Sequence, residues 1–396
     1  MRTHQATYET TMKASFLAYI VQGIVNNFTP LLFIAFNQHY GIPLEQITLL
    51  ITMNFTLQLI MDIGLTAFVT RIGYRASLLL ANSMAAIGMV LLAILPNFLS
   101  NTYLGILIAS CFYSTGGELN EVIVSPLVEA TPSKNKKQAM SLLHSFYCWG
   151  YVGVVLLSTF FMAVFGTEFW PILAILWSLV PLVNAYLFTF VPIAPLIPEG
   201  ERGLSFKELL SRKMFYIFFI MMFAAGASEI TVAQWASLFA EKGLDISKTL
   251  GDLCGPMIFA LFMGTSRLLY GKYGNKIDFD KYMLASASLC ILSYLLIGLV
   301  PHPLVGLLGC ALCGFSVGIF WSGTYSTSAS VISNGGTLRL LALAGDIDGF
   351  MTAKMGGSLR FGLLCAIIFP TIILSLLLII HHDKVKRAKT LFESNV

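Results

Sequence analysis

Long apolar runs alternate with short polar breaks along the chain, and each run is about the length of a helix that crosses a bilayer. The breaks delimit spans at 14–37, 46–70, 76–96, 102–128, 139–165 and 169–191, then at 214–240, 250–273, 281–300, 304–328, 338–353 and 359–380. Between the sixth and seventh runs lies PIAPLIPEGERGLSFKELLSRK, residues 192–213. Its Pro, Gly and mixed charges predict a linker with a short surface helix. The pattern predicts an all-α polytopic membrane protein of twelve helices. A six-helix bundle occupies 1–191, a cytoplasmic linker 192–213, and a second bundle 214–396. The eleventh run is the short one. As a helix at 1.5 Å per residue, 338–353 rises about 24 Å, less than the ~30 Å hydrocarbon core.

The two halves repeat. Gly23 followed by Asn26 recurs as Gly226 followed by Glu229, Arg71-Ile-Gly73 as Lys272-Tyr-Gly274, and Ser125-Pro126 as Ser322-Gly323. The offsets are 203, 201 and 197, close enough to describe two parallel halves with a solute site at their interface near the bilayer midplane.

Composition agrees with the pattern. Hydrophobic residues make up 57% of the 396 and charged residues 11%, with a mean hydropathy of +0.79. A soluble domain is roughly 45–50% apolar and about 25% charged, so a soluble fold and a disordered chain are both excluded. Charge then sets orientation. With the N-terminus inside, nineteen of the 24 Lys and Arg fall in inside segments and four in outside segments. Such a bias predicts a multi-pass protein of the cytoplasmic (inner) membrane with both termini cytoplasmic. The polar N-terminus leads straight into a full-length apolar run, with no cleavable leader expected. The seven cysteines lie in apolar surroundings and form no paired framework. Cys310 and Cys313, though spaced C-x-x-C, read as small packing residues rather than a metal site.

Polar groups inside apolar runs carry the candidate chemistry, since a charge at the bilayer centre costs about 2.5–3.5 kcal/mol on insertion scales. Glu118, Glu121 and Ser125 stand at i, i+3 and i+7, on one face of the fourth span. Two carboxylates on one face of a dry cavity suit a proton site, so Glu121 and Glu118 are the proton-coupling candidates. Substrate-binding candidates are Gln22 and Asn26 in the first span, Glu229, Gln234 and Trp235 in the seventh, and Trp149 and Trp321 beside the cavity. Carboxylate, amide and indole together fit a polyhydroxylated ligand, although an amine would use the same glutamate with cation–π support. Asn54, Gln58, Asp62 and Thr66 make a second polar stripe. Asp62, Arg71, Arg267, His144 and Asp346 are read as gating or structural residues. Arg267 either pairs with a carboxylate across the half-interface or snorkels. His144 either relays protons or is a hydrogen-bonded structural histidine. The sequence has no P-loop, H-E-x-x-H or nucleophile elbow, and its basic residues lie in loops as topology determinants. No enzyme, metal centre, cofactor or nucleic-acid partner is therefore expected.

Glu121-Val-Ile-Val-Ser125-Pro126 resembles the fourth-helix E-x-x-x-[NS]-P of the fucose permease-like branch of the major facilitator superfamily. Gly226-Ala-Ser-Glu229 with Trp235, then Gly251-Asp252 and Gly264-Thr-Ser-Arg267-Leu-Leu-Tyr-Gly271, is similar to the seventh and eighth helices of bacterial members. The second-helix motif of the superfamily survives as Thr70-Arg71-Ile-Gly73-Tyr-Arg75, with Thr where it carries Asp. The resemblance implies a cation-coupled, usually proton-coupled, importer of sugars working by alternating access, in which Glu121 matches the acid that couples protonation to sugar binding; a monomer is expected. Two other readings stay open at this point. One is proton-driven efflux of amphipathic cations, with Glu229 binding the amine. The other is a non-transporting membrane protein, motivated by the short eleventh run.

Overall fold

A computed structural model of the chain describes residues 7–43, 45–47, 49–50, 52–53, 56, 69, 71–132, 136–194, 206–331 and 359–393, and every regular element among them is helical. In chain order these are α1 (Tyr8–Leu31), α2 (Phe33–Tyr40), α3 (Tyr74–Phe98), α4 (Thr102–Ala130), α5 (Lys136–Phe165), α6 (Trp170–Phe188), α7 (Phe206–Leu210) and α8 (Lys213–Leu238). They continue as α9 (Lys248–Asp252), α10 (Ile258–Tyr273), α11 (Phe279–Leu299), α12 (Pro303–Val317), α13 (Phe320–Val331), α14 (Leu359–Cys365) and α15 (Ile368–Glu393). Among the described residues, nine helical segments are long and apolar enough to cross a membrane, and α4 adds a tenth long helix of 29 residues. Ten of the twelve expected spans thus have a helix at their place, and α7 is the short helix expected in the linker. The second expected span is described only at scattered positions and the eleventh not at all. Asn54, Gln58, Asp62, Thr66 and Asp346 lie outside the described residues.

Local chemistry places the ends and the breaks. Asn101 caps α4 by accepting from the Leu104 N–H at 3.1 Å, and Asp278 caps α11 by accepting from the Lys281 N–H at 3.2 Å. Gly41 closes α2 in the left-handed region, φ 65°, where a side chain would be strained. Pro30 lacks the N–H that would bond the Asn26 carbonyl, and the first span breaks between α1 and α2 two residues later. Pro256 sits in a π-helical turn, Leu253–Met257, between α9 and α10. The tenth span breaks at Gly318–Ile319 between α12 and α13.

The packing repeats as the sequence does. In the first half α3 lies against α4 and α6, and α1 against α4 and α6; in the second, α11 lies against α12 and α15, and α8 against α12, α13 and α15. Buried amides hold the first half together: Asn82 donates to Asn120 Oδ1 at 3.1 Å, and the Asn184 amide meets the Asn82 amide at 3.0 Å. In lipid such interhelical bonds take the place of a hydrophobic drive. Glycines set the closest approaches. A Cβ at Gly23 would stand 2.6 Å from the Tyr147 carbonyl, so α1 and α5 touch backbone to backbone. The halves meet chiefly where α5 packs along α10.

Candidate functional site

Four helices bring the polar groups of the spans to that meeting place. From α1, the Gln22 amide donates to Glu121 Oε2 on α4 at 2.7 Å, and one turn below it Tyr19 hydrogen-bonds Ser125. The i, i+3, i+7 face read in the sequence is therefore the face α4 turns toward α1. Glu121 Oε1 takes no bond among the described residues. Gln22 is 2% exposed, and its Oε1 is buried without a partner. Glu118, one turn away, is buried at 3% exposure.

From the second half come Glu229 on α8 and Arg267 on α10. Arg267 Nη2 stands 2.9 Å from Glu229 Oε2, with side-chain exposures of 2% and 14%. Its Nε donates to the Gly318 carbonyl at 3.0 Å, where the break between α12 and α13 presents the oxygen. Nη1 crosses to the first half, donating to the His144 carbonyl at 3.2 Å and to Cys148 Sγ at 3.1 Å. Arg267 does not snorkel, then; it pairs with a carboxylate of its own half and reaches the other half through a carbonyl and a thiol. A guanidinium with five donors fits that role where an ammonium would not. Glu229 and Arg267 are both close enough to Glu121 to act on its charge. Each half thus brings one glutamate to the meeting place, Glu121 from the first and Glu229 from the second.

Other expected residues fall into place around this core. Asn26 and Gln234 are half-buried and make no side-chain hydrogen bond among the described residues. Trp235 and Trp321 are buried, at 7% and 9% exposure. His144 is buried edge-on to Tyr19, ring centroids 5.1 Å apart, with Nε2 unpartnered. Thr29 ties α1 to α4 through the Tyr113 hydroxyl at 2.9 Å. Trp149 is 37% exposed and shares its face of α5 with exposed Leu142, Leu156 and Phe160. The Trp149 ring edge lies 3.9 Å from where a Cβ on Gly264 of α10 would stand, so Trp149 borders the contact between α5 and α10. Arg71 is exposed, and the arginine of its motif that makes contacts is Arg75, which donates to the carbonyls of Phe188, Thr189 and Val191 at 2.7–2.9 Å. Cys310 and Cys313 are buried packing residues, 1% and 0% exposed. No group of three or more His, Cys, Asp or Glu among the described residues is placed to hold a metal ion.

Two features escaped the sequence reading. Tyr147 on α5 enters the site, its hydroxyl accepting from Asn27 Nδ2 at 3.3 Å. The neighbour Asn27, not Asn26, is the asparagine bonded across the helices. The available signal was the pair of small residues Gly23 and Gly150, which let α1 and α5 close up. The second feature lies at the far end of the bundle. Asp252, fully buried, hydrogen-bonds Ser237, takes Lys248 Nζ at 3.0 Å, and accepts from Thr159 of the first half at 3.5 Å.

The chain matches the sequence profile of the Major Facilitator Superfamily over residues 14–345. It belongs to that superfamily. Membership makes it a multi-pass membrane transporter rather than an enzyme. No curated protein sequence matches it. Among solved structures it is similar to the fucose:proton symporter of E. coli, with a TM-score of 0.74 at 14% identity, covering 94% of this chain and 98% of that one. A proton:xylose symporter bound to 6-bromo-6-deoxy-D-glucose gives a TM-score of 0.78 at 13% identity, covering 94% of each chain. The human organic anion transporter gives 0.68 at 16%, covering 94% of this chain and all of that one. At such identities the shared property is the fold.

Proposed function

We propose that the transporter imports a sugar or a similar small hydroxylated solute together with a proton, by alternating access, as a monomer in the cytoplasmic membrane with both termini inside. The observation that carries this reading is the division of labour between the two carboxylates. Glu229 already has its cation in Arg267 at 2.9 Å, while Glu121 has only the Gln22 amide at 2.7 Å. A bare carboxylate is costly to carry through a closed site from which water is excluded, and a proton removes that charge. Glu121 is thus the proton carrier. Its Oε1, the Glu229 Oε1 and the amides of Asn26 and Gln234, none of them bonded among the described residues, provide the acceptors and donors that hydroxyl groups use. The E. coli fucose:proton symporter and the proton:xylose symporter support the reading by fold.

Efflux of an amphipathic cation is disfavoured by the same geometry, because an ammonium arriving at Glu229 would meet a carboxylate already neutralised by Arg267. Uptake of hexoses and polyols into proteoliposomes under an imposed pH gradient tests the proposal. The expected result is gradient-driven accumulation by the wild type, abolished in Glu121→Gln while solute exchange partly survives. Uphill uptake that persists in Glu121→Gln would overturn the assignment, and proton leak stimulated only by lipophilic amines would replace import with efflux.

A further inference from the structure

We infer that Tyr147 is a specificity-determining residue, donating its phenolic hydrogen bond to an oxygen of the solute between Glu121 and Glu229. The inference rests on the import reading above and adds to it a residue and a selection rule. Tyr147 is half-buried on the face of α5 that looks across the half-interface. Its backbone is fixed, since α1 packs against it at Gly23 with no room for a Cβ. Its ring meets Tyr151 edge-on, centroids 6.5 Å apart, and Tyr151 in turn donates to the Ala233 carbonyl of α8 at 3.0 Å. The aromatic body is therefore held on both sides.

The polar tip is only half used. Asn27 is 3% exposed, and its Nδ2 is shared between the Gly23 carbonyl at 2.9 Å and the Tyr147 oxygen at 3.3 Å. An amide N–H can only donate, so Tyr147 must accept from it. A phenolic O–H prefers the plane of its ring, so with Asn27 on one side the proton turns to the other. No described residue accepts that proton. Tyr151, one turn along α5, bonds Ala233, itself one turn along α8 from Glu229, and Asn27 stands on the helix whose Gln22 bonds Glu121, so the hydroxyl lies beside α1 near the level of Glu229. A directed donor there selects for a solute with an oxygen lone pair. Hydroxyl, ring and carbonyl oxygens satisfy it; an ammonium group, which has no lone pair, does not. The two carboxylates accept from the solute's hydroxyl groups while Tyr147 donates to one of its oxygens, so a polyol fits the site in one orientation.

Competition by a series of hexose analogues, each lacking one hydroxyl, against uptake by wild type and Tyr147→Phe tests the assignment. Wild type should discriminate against each analogue that loses a bonded group. Tyr147→Phe should bind the parent sugar about 3- to 10-fold more weakly, the range for one lost hydrogen bond. It should also become indifferent to the loss of one particular hydroxyl while still rejecting the others. Tyr151→Phe serves as the comparison: it loses the bond to Ala233 and some thermal stability, but it should keep the wild-type analogue profile. A Tyr147→Phe protein that transports and retains the full wild-type profile would overturn the inference and leave the import reading intact. If wild type takes up no hexose or polyol and is not stabilised by one on heating, the import reading fails and the inference falls with it. If Tyr147→Phe fails to fold by its melting curve, the profile is read instead from Asn27→Ala, in which the hydroxyl is free to rotate. Loss of discrimination at one position is then the expected result, and an unchanged profile the refuting one.

Discussion

Replacing Arg267 with Met tests whether the central charges are organised as the geometry requires. The guanidinium is 2% exposed and stands 2.9 Å from Glu229 Oε2, itself on a side chain only 14% exposed. Met keeps most of the aliphatic volume and removes the cation. Glu229 is then left charged and enclosed, and the carbonyls of Gly318 and His144 lose their bonds from Arg267. Breaking a buried ion pair by removing one partner costs about 3–5 kcal/mol, most of it from the charge left behind. Removing Glu229 as well, in Arg267→Met with Glu229→Gln, eliminates that stranded charge. The double variant retains only the loss of Arg267's hydrogen bonds to the Gly318 and His144 carbonyls, the latter still accepting from Cys148 Sγ at 3.6 Å, for about 1–3 kcal/mol. The double substitution should therefore be milder than Arg267→Met alone by ~2 kcal/mol, and with Glu229→Gln alone, which strands the cation instead, the two single costs should sum to well over that of the double. Denaturant titration of the purified protein in mixed micelles measures all three variants against wild type. A cost for Arg267→Met under ~1 kcal/mol, or costs that simply add, would show that Arg267 does not compensate Glu229 and would remove the argument against a cationic solute.

The close approach of α1 and α5 predicts that Gly23→Ala costs about 1–3 kcal/mol, because its Cβ meets the Tyr147 carbonyl and the Tyr151 nitrogen, both backbone atoms that cannot swing aside. Gly153→Ala, on the partner helix α5, meets nothing within 4 Å and should be neutral or stabilising by up to ~1 kcal/mol through helix propensity. Melting curves of the pair check both. At the opposite end of the bundle, Asp252→Ala strands Lys248 and frees Ser237 and Thr159, for a loss of about 1–3 kcal/mol in the same assay. Lys248→Met combined with it should recover part of that loss, and a double variant less stable than Asp252→Ala would contradict the pairing.

Much of the architecture was legible because lipid makes hydropathy decisive. In a solvent that cannot hydrogen-bond the backbone, an apolar run of about twenty residues has essentially one solution, the helix. That is why α3, α5, α8 and α11 start and stop within three residues of the boundaries read from the chain. The repeat was legible for a related reason: the offsets near 200 record two copies of one packing problem, and α3·α4·α6 and α11·α12·α15 solve it alike. Polar residues within the runs were also sound guides to the interior, as Gln22, Glu121, Glu229 and Arg267 show. Their partners were not readable. The i, i+3, i+7 face of α4 gave Glu121 a neighbour in Glu118, while folding gave it Gln22 from α1 and Glu229 from the other half.

Trp149, Asn27 and Tyr147 mark the limit. A tryptophan in an apolar run reads the same whether it faces lipid or a cavity, and only the packing of α5 against α10 leaves Trp149 partly exposed with its ring edge at Gly264. Asn26 and Asn27 are adjacent in sequence and about 100° apart on the helix, so their roles depend on how α1 is rotated by the contact at Gly23. Sequence by itself determined that this chain is a helical membrane protein of two related halves with carboxylates buried between them. It could do so because the cost of exposing polar groups to lipid is paid residue by residue. Tertiary structure alone decided that Arg267 belongs to Glu229, that Glu121 is left with an amide, and that Asn27 rather than Asn26 bonds across to Tyr147. Pairings across helices depend on rotation and register, and those are set by the contacts of every neighbour together.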